Sequence, residues 1–297
     1  MTAHALVFVA PPGDKPAYRE ALLMLGRVAL NRKLPPPEVL SGWESAQWIY
    51  DSVDGELRQE AAAAVAEMPV DWALVPVEGR RKKLLVADMD STIINVECLD
   101  ELADFAGIKA EIAAITERAM RGELEFEPAL RERVGKLKGL ALTALQRTYD
   151  ERVRLNPGAA AFVKTMAAHG ARCVLVSGGF TYFTSRVADE AGFQANRANV
   201  LLDDGVALTG GVQEPILGRK AKLDALRTEA AALKVDDKDA LAIGDGANDL
   251  DMIKAAGLGI AYRAKPLVAA EAGARIDHTN LETALFFQGY RRGEFAS

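Results

Sequence analysis

The chain predicts an α/β fold: a Rossmann-like core with a parallel sheet, a helical cap inserted after the first core strand, and a small N-terminal α+β domain. Three observations carry this expectation. Apolar runs at Leu84–Ala87, Cys173–Val176 and Ala240–Ile243 alternate with helical patterns, as parallel strands covered on both faces do. Between the first two runs, Glu97 to Arg154 has helical periodicity and no strand. Ahead of them, the stretch to Gly79 reads βαββαβ, the order of a ferredoxin-like unit. The expected division is therefore 1–79 for the N-terminal domain, 80–96 with 155–297 for the core, and 97–154 for the cap.

In order, the first domain offers a strand at Leu6–Ala10, a helix at Ala17–Leu30, strands at Glu38–Ser41 and Gln47–Asp51, a helix at Glu56–Met68 and a strand at Trp72–Val77. No catalytic constellation stands out in it. The basic run Arg80-Arg81-Lys82-Lys83 reads as a solvated strand entry. In the cap, one helix carries Leu99, Leu102, Ala103 and Ala106 and stops at Gly107, a helix-terminating glycine. Further helices are expected at Ala110–Arg121, Pro128–Lys138 and Thr143–Arg152, closed by Asn156-Pro157-Gly158. A helical insert after a catalytic strand is placed to act as a lid. Asn199–Leu202 and Val206–Thr209, joined by Asp203-Asp204-Gly205, read as a peripheral hairpin.

Composition narrows the function. A net charge of −6 argues against a nucleic-acid binder, which needs clustered Lys and Arg. The N-terminus has no basic region ahead of its short apolar run, so neither a signal peptide nor a membrane span is expected, and the protein reads as cytoplasmic. Cys98 and Cys173 are too few for a disulfide scaffold or zinc site and read as small buried hydrophobes. His4, His169 and His278 lie outside every motif.

Each core run ends in chemistry at its carboxyl end, the edge where open α/β sheets bind ligands. Asp88-Met89-Asp90-Ser91-Thr92 places two acids at i and i+2, on one face of an extended segment. Carboxylates that close do not both ionise cheaply, which suits a nucleophile beside a general acid. Ser177-Gly178-Gly179 brings a hydroxyl and open backbone N–H groups together, a nest for phosphate. Gly244-Asp245-Gly246-Ala247-Asn248-Asp249 concentrates hard oxygen ligands suited to Mg²⁺. A positive side chain is needed among these acids, and Lys220 is the first choice, with Lys222 the runner-up.

Taken in order, DMDST, SGGF, a lysine and GDGAND resemble the four motifs of the haloacid dehalogenase-like hydrolase superfamily. Asp90, where transporting ATPases of the superfamily carry threonine, favours phosphatase chemistry. Within the cap, Glu97–Glu101, Thr116–Leu124 and Leu130–Val134 are similar to the phosphoserine phosphatase family. The resemblance implies Mg²⁺-dependent hydrolysis of O-phospho-L-serine, the last step of serine biosynthesis, through an aspartyl-phosphate. It implies Asp88 as nucleophile and Asp90 as acid and base, with Mg²⁺ on Asp88, Asp245 and the backbone carbonyl of Asp90, and Asp249 in support. Glu97 and Arg133 would meet the ammonium and carboxylate of the amino acid, Met120 and Phe126 would line the pocket, and Ser177, Gly178, Gly179, Lys220 and Asn248 would hold the phosphate.

The N-terminal domain resembles ACT-like domains, which leaves sensing, homodimerisation or packing as its use. Another small phosphomonoester, transfer to an alcohol acceptor, and a non-catalytic sensor are the competing readings. Retention of both Asp88 and Asp90 counts against the last.

Overall fold

The computed structural model describes residues 2–120 and 123–296, leaving aside the side chains of Ala119, Met120 and Arg219. The first unit runs β1 (His4–Val9), α1 (Lys15–Asn31), β2 (Glu38–Ser41), β3 (Ser45–Tyr50), α2 (Gly55–Ala64) and β4 (Asp71–Pro76), with an antiparallel sheet ordered β2-β3-β1-β4. Alternation divides the strands. Leu6, Phe8, Trp48 and Leu74 pack beneath α1 and α2, whereas Val7, Val9, Ala73 and Val75 join the hydrophobic core of the rest of the chain.

The larger part begins at β5 (Leu84–Ala87) and, after a turn at Met89–Ile93, enters the inserted helices α3 (Cys98–Phe105), α4 (Lys109–Met120), α5 (Phe126–Lys136) and α6 (Leu142–Arg152). It returns through α7 (Ala159–Ala168), β6 (Arg172–Phe180), α8 (Thr181–Ala191), β7 (Ala195–Asn199) and the hairpin β8 (Leu201–Asp203) and β9 (Leu208–Val212). Then follow α9 (Arg219–Leu233), β10 (Ala240–Gly244), α10 (Leu250–Ala255), β11 (Leu258–Tyr262), α11 (Pro266–Glu271), β12 (Ala274–Ile276) and α12 (Thr283–Phe287). The sheet order is β12-β11-β10-β5-β6-β7 and every pair is parallel. The chain leaves β5 first toward β6 and later returns on its other side at β10, so a crevice opens where β5, β6 and β10 end. Among the described residues, no helix is long and apolar enough to cross a membrane.

Two expectations change. Arg80 is buried rather than solvated: it donates to Phe287 O at 2.6 Å, Phe286 O at 3.0 Å and Gln47 Oε1 at 2.6 Å. Arg81 lies over the Tyr290 ring, so the run fastens the first unit to the C-terminal segment. Nor is the hairpin peripheral. Gly139 N donates to Leu208 O at 2.8 Å, Leu142 N to Val206 O at 2.9 Å, and Leu208 N back to Leu140 O at 2.9 Å, which stitches β9 to the cap loop.

Candidate active site

Beyond Ala87 the extended Asp88 (φ −71, ψ 154) leads into a helical turn over Met89–Ile93 that is broken at Asp90 (φ −65, ψ 135) and Ser91. Met89 between them is fully buried, and it is this turn, not the strand alternation expected of an extended segment, that sets Asp90 close enough to act on the Asp88 carboxyl. Ser91 then takes φ +56, a left-handed conformation costing about 1–3 kcal/mol in a residue with a side chain. The turn is held by Ser91 N on Val96 O at 3.2 Å and by Ser91 Oγ on Glu97 Oε1 at 2.6 Å. It brings Glu97, the first residue of the cap, back toward the acids.

The buried cation is Lys222, and this corrects the choice of Lys220. Lys222 Nζ lies 2.5 Å from Asp88 Oδ1 and 2.5 Å from Asp249 Oδ1, with 3% of its side chain exposed. Lys220 is exposed. The reason is helical geometry: Lys222, Ala225, Leu226, Glu229 and Ala230 form the buried stripe of α9 at i, i+3, i+4, i+7 and i+8, and Lys220 falls outside it. Ala225, Leu226 and Ala230 were the signal in the sequence that selects Lys222.

Asp249 reaches the site because residue 244 is glycine; a Cβ there would stand 2.4 Å from Asp249 Cγ. Gly246 N donates to Asp249 Oδ2 at 3.0 Å. Asp88, Asp245 and Asp249 offer carboxylate oxygens within 4.8 Å of one another, a set that fits a hard divalent cation. Burial raises Asp88 well above the ordinary carboxylate range; Asp249 and Asp90 add to this and Lys222 opposes it. Burial raises Asp245 as well, with repulsion from Asp249 adding to it.

Asp90 is engaged elsewhere. Its Oδ1 accepts from Cys98 N at 2.9 Å, the first residue of cap helix α3, and its Oδ2 accepts from Ser177 Oγ at 3.0 Å. Burial raises its pKa too, against the pull of these hydrogen bonds. Gly179 N donates to Ser177 Oγ at 2.8 Å, and a Cβ on Gly179 would crowd both Asp90 Oδ2 and Ser177 Oγ at 3.0 Å. Phe126, from the cap, covers this loop: a Cβ on Gly178 would lie 3.3 Å from its ring, and one on Gly218 3.5 Å.

At the cap side, desolvation pushes Glu97 up to about 7, with Asp90 adding to the shift, although Glu97 is itself an exposed residue. Arg133 is half-buried; burial lowers its pKa while the charges of Asp100 and Glu97 oppose the loss. Among the described residues its guanidinium makes one hydrogen bond, Nε to Ala129 O at 3.3 Å. Asn248 folds its amide over Gly246. Met120 lies, for its side chain, outside the described residues. The structure adds one residue that sequence reasoning passed over: Asn199, at the end of β7, whose amide reaches Gly178 O and Leu217.

A parallel sheet with three acidic or glycine-rich strand ends, a buried lysine and a helical cap defines a class, and comparison with known proteins agrees. The family model for haloacid dehalogenase-like hydrolases matches residues 85–254. A phosphoserine phosphatase of Polaromonas sp. is 47% identical over 208 residues, 68% of this chain and 88% of that protein. A solved structure of a "probable phosphoserine phosphatase" from Vibrio cholerae, in unliganded form, aligns with a TM-score of 0.77 at 32% identity, over 96% of this chain and 86% of the other. A substrate-bound phosphoserine phosphatase complex aligns with a TM-score of 0.64 at 36% identity, over 69% of this chain and 98% of the other. The chain belongs to the haloacid dehalogenase-like hydrolases and, within them, to the phosphoserine phosphatase family.

Proposed function

We propose that this chain is a cytoplasmic, Mg²⁺-dependent phosphatase that hydrolyses O-phospho-L-serine to L-serine and phosphate. The observation that carries the reading is the unequal treatment of two neighbouring acids. Asp88 is paired with a buried ammonium, and Asp90 is held by the cap and the phosphate loop.

Asp88 attacks phosphorus in line, and the bond from phosphorus to the serine oxygen breaks. Asp90 delivers its proton to that oxygen, then takes a proton from the water that cleaves the aspartyl-phosphate and frees the Asp88 carboxylate. Lys222 keeps Asp88 ionised and offsets phosphate charge, the part first given to Lys220. Ser177 Oγ and the N–H of Gly178 donate to the phosphate oxygens, Gly179 N–H holds Ser177 Oγ in place, and Asn248 orients the phosphate. Asp88, Asp245 and Asp249, with the Asp90 carbonyl, would hold Mg²⁺, which when bound would add to the neutralisation of phosphate charge. Glu97 meets the ammonium of the amino acid and Arg133 its carboxylate, while Phe126 closes the pocket over the phosphate loop.

Phosphate release from O-phospho-L-serine tests the proposal. The wild type should turn over with Mg²⁺ and fall silent with EDTA. Asp88→Asn should lose both turnover and phosphoenzyme, whereas Asp90→Asn should accept phosphate slowly and stall. Turnover by Asp88→Asn would remove the nucleophile from its assigned place.

A further inference from the structure

Asn199 is 2% exposed and spends its amide on two separate segments. Nδ2 donates to Gly178 O at 2.8 Å and to Leu217 O at 3.4 Å, and Oδ1 accepts from Leu217 N at 2.7 Å. A side-chain amide presents a donor and an acceptor in one plane, so it joins the two segments as a peptide group would.

The first bond sets a peptide plane. In a trans peptide the carbonyl of one residue and the N–H of the next point in opposite directions. With Gly178 O held outward on Asn199, Gly179 N–H is turned inward, where it meets Ser177 Oγ at 2.8 Å. Ser177 Oγ in turn donates to Asp90 Oδ2 at 3.0 Å. The second pair of bonds fixes Leu217, directly before Gly218, where α9 and its Lys222 begin. Between Asn199 and Leu217 runs the hairpin that is bonded to the cap at Gly139, Leu140 and Leu142. Asn199 closes the base of this hairpin by joining its two ends, and ties that base to Gly178.

We infer that Asn199 is a positioning residue for phosphoryl transfer: it fixes the Gly178–Gly179 peptide so that Gly179 N–H holds Ser177 Oγ against Asp90, and it fixes Leu217 ahead of the helix that carries Lys222. This rests on the phosphatase reading above. Asn199→Asp keeps the acceptor for Leu217 N and sets a carboxylate against Gly178 O, so the peptide plane loses its anchor.

The test compares folded full-length wild type and Asn199→Asp with Mg²⁺, reading kcat per active site on O-phospho-L-serine, its KM, and the inhibition constant of orthovanadate as a mimic of phosphorus in transit. Loss of a residue that orients a reacting group typically costs about 10- to 100-fold, so kcat should fall by that factor and the vanadate constant should rise in proportion. The KM should stay within about threefold, since the amino acid contacts are untouched. A purely structural role would lower the folded fraction or the melting temperature and leave both per-site values within about twofold of wild type, which would overturn the inference. Asn199→Ser carries the same expectation should Asn199→Asp fail to fold. A wild type that binds vanadate but releases no phosphate from O-phospho-L-serine would remove the substrate assignment, and the vanadate comparison would then decide for Asn199 by itself.

Discussion

Lys222 and Lys220 are two residues apart on one helix, and replacing each with methionine separates their roles. Methionine keeps most of the apolar stem and deletes the charge. Lys222 Nζ is 2.5 Å from one oxygen of Asp88 and 2.5 Å from one of Asp249, and those carboxylates are 7% and 0% exposed. Each such pair is worth about 4 kcal/mol of gross attraction at an effective dielectric of about 20. Desolvation returns several kcal/mol per ion, so the net cost of removing the lysine from its buried partners is about 3–5 kcal/mol. In the reaction, loss of one group that stabilises developing charge costs about 10²–10³ in kcat. Lys222→Met should therefore lose at least about 100-fold in kcat on O-phospho-L-serine and also unfold at lower urea. Lys220 is exposed, and Lys220→Met should stay within about 0.5 kcal/mol in stability and about twofold in rate. Initial rates of phosphate release, normalised to folded protein from urea titrations, give both numbers. An inactive Lys220→Met beside an active Lys222→Met would refute the reasoning.

Glu97 gives a pH prediction. Raised from 4.5 to about 7 chiefly by desolvation, it loses its charge, and its hold on an ammonium, as pH falls through 7. The kcat/KM profile should bend downward below about pH 7, and Glu97→Gln should lie flat there at the lower value, after allowance for the substrate phosphate, which titrates near 6 in both. Because the folded value exceeds the unfolded one, the stability that Glu97 contributes to metal-free protein is complete below about pH 4.5 and fades as pH rises through about 7; urea midpoints across that window check the sign. Gly244→Ala must displace Asp249, whose Cγ stands 2.4 Å from the new Cβ, so the Mg²⁺ needed for half activity should rise by about 10-fold or more. An unchanged Mg²⁺ requirement would take Asp249 out of the metal set. Asp71 accepts from Asp277 N at 2.8 Å, Thr279 N at 2.8 Å and Thr279 Oγ1 at 2.5 Å. Asp71→Ala leaves these donors unpaired and should cost about 3 kcal/mol or more in urea unfolding, with little change in kcat.

The strand-end motifs were legible because each is a local event: an apolar run, then acids or glycines, at the edge where parallel strands open. Asp88, Asp90, Ser177 and Asp245 all lie at the ends of core strands or just beyond them. The lysine was less legible, since which residue enters the site depends on the rotation of α9, and that rotation is set by packing of Ala225, Leu226 and Ala230. Arg80 misled for a related reason. Its run looks like a solvated strand entry, yet its acceptors are carbonyls about 200 residues away, Phe286 O and Phe287 O. Asn199 carries no motif: its value comes from two partners, Gly178 and Leu217, that only the fold brings together.

The N-terminal unit is bound to the catalytic half by the alternation of its strands. Along β1, Leu6 and Phe8 face its own helices while Ala5, Val7 and Val9 join the cluster of Leu285, Phe286 and Phe287. A one-residue slip would exchange these faces, so the register that forms the small core also forms the interface. Polar groups then fix its orientation, Asp71 on the 277–279 loop and Arg80 on the carbonyls of α12. Among the described residues, neither Asp71 nor Arg80 hydrogen-bonds to the cap helices or to the Ser177–Gly179 loop. A cap that opens for substrate would therefore break neither latch, and its hairpin would stay tied at the base by Asn199.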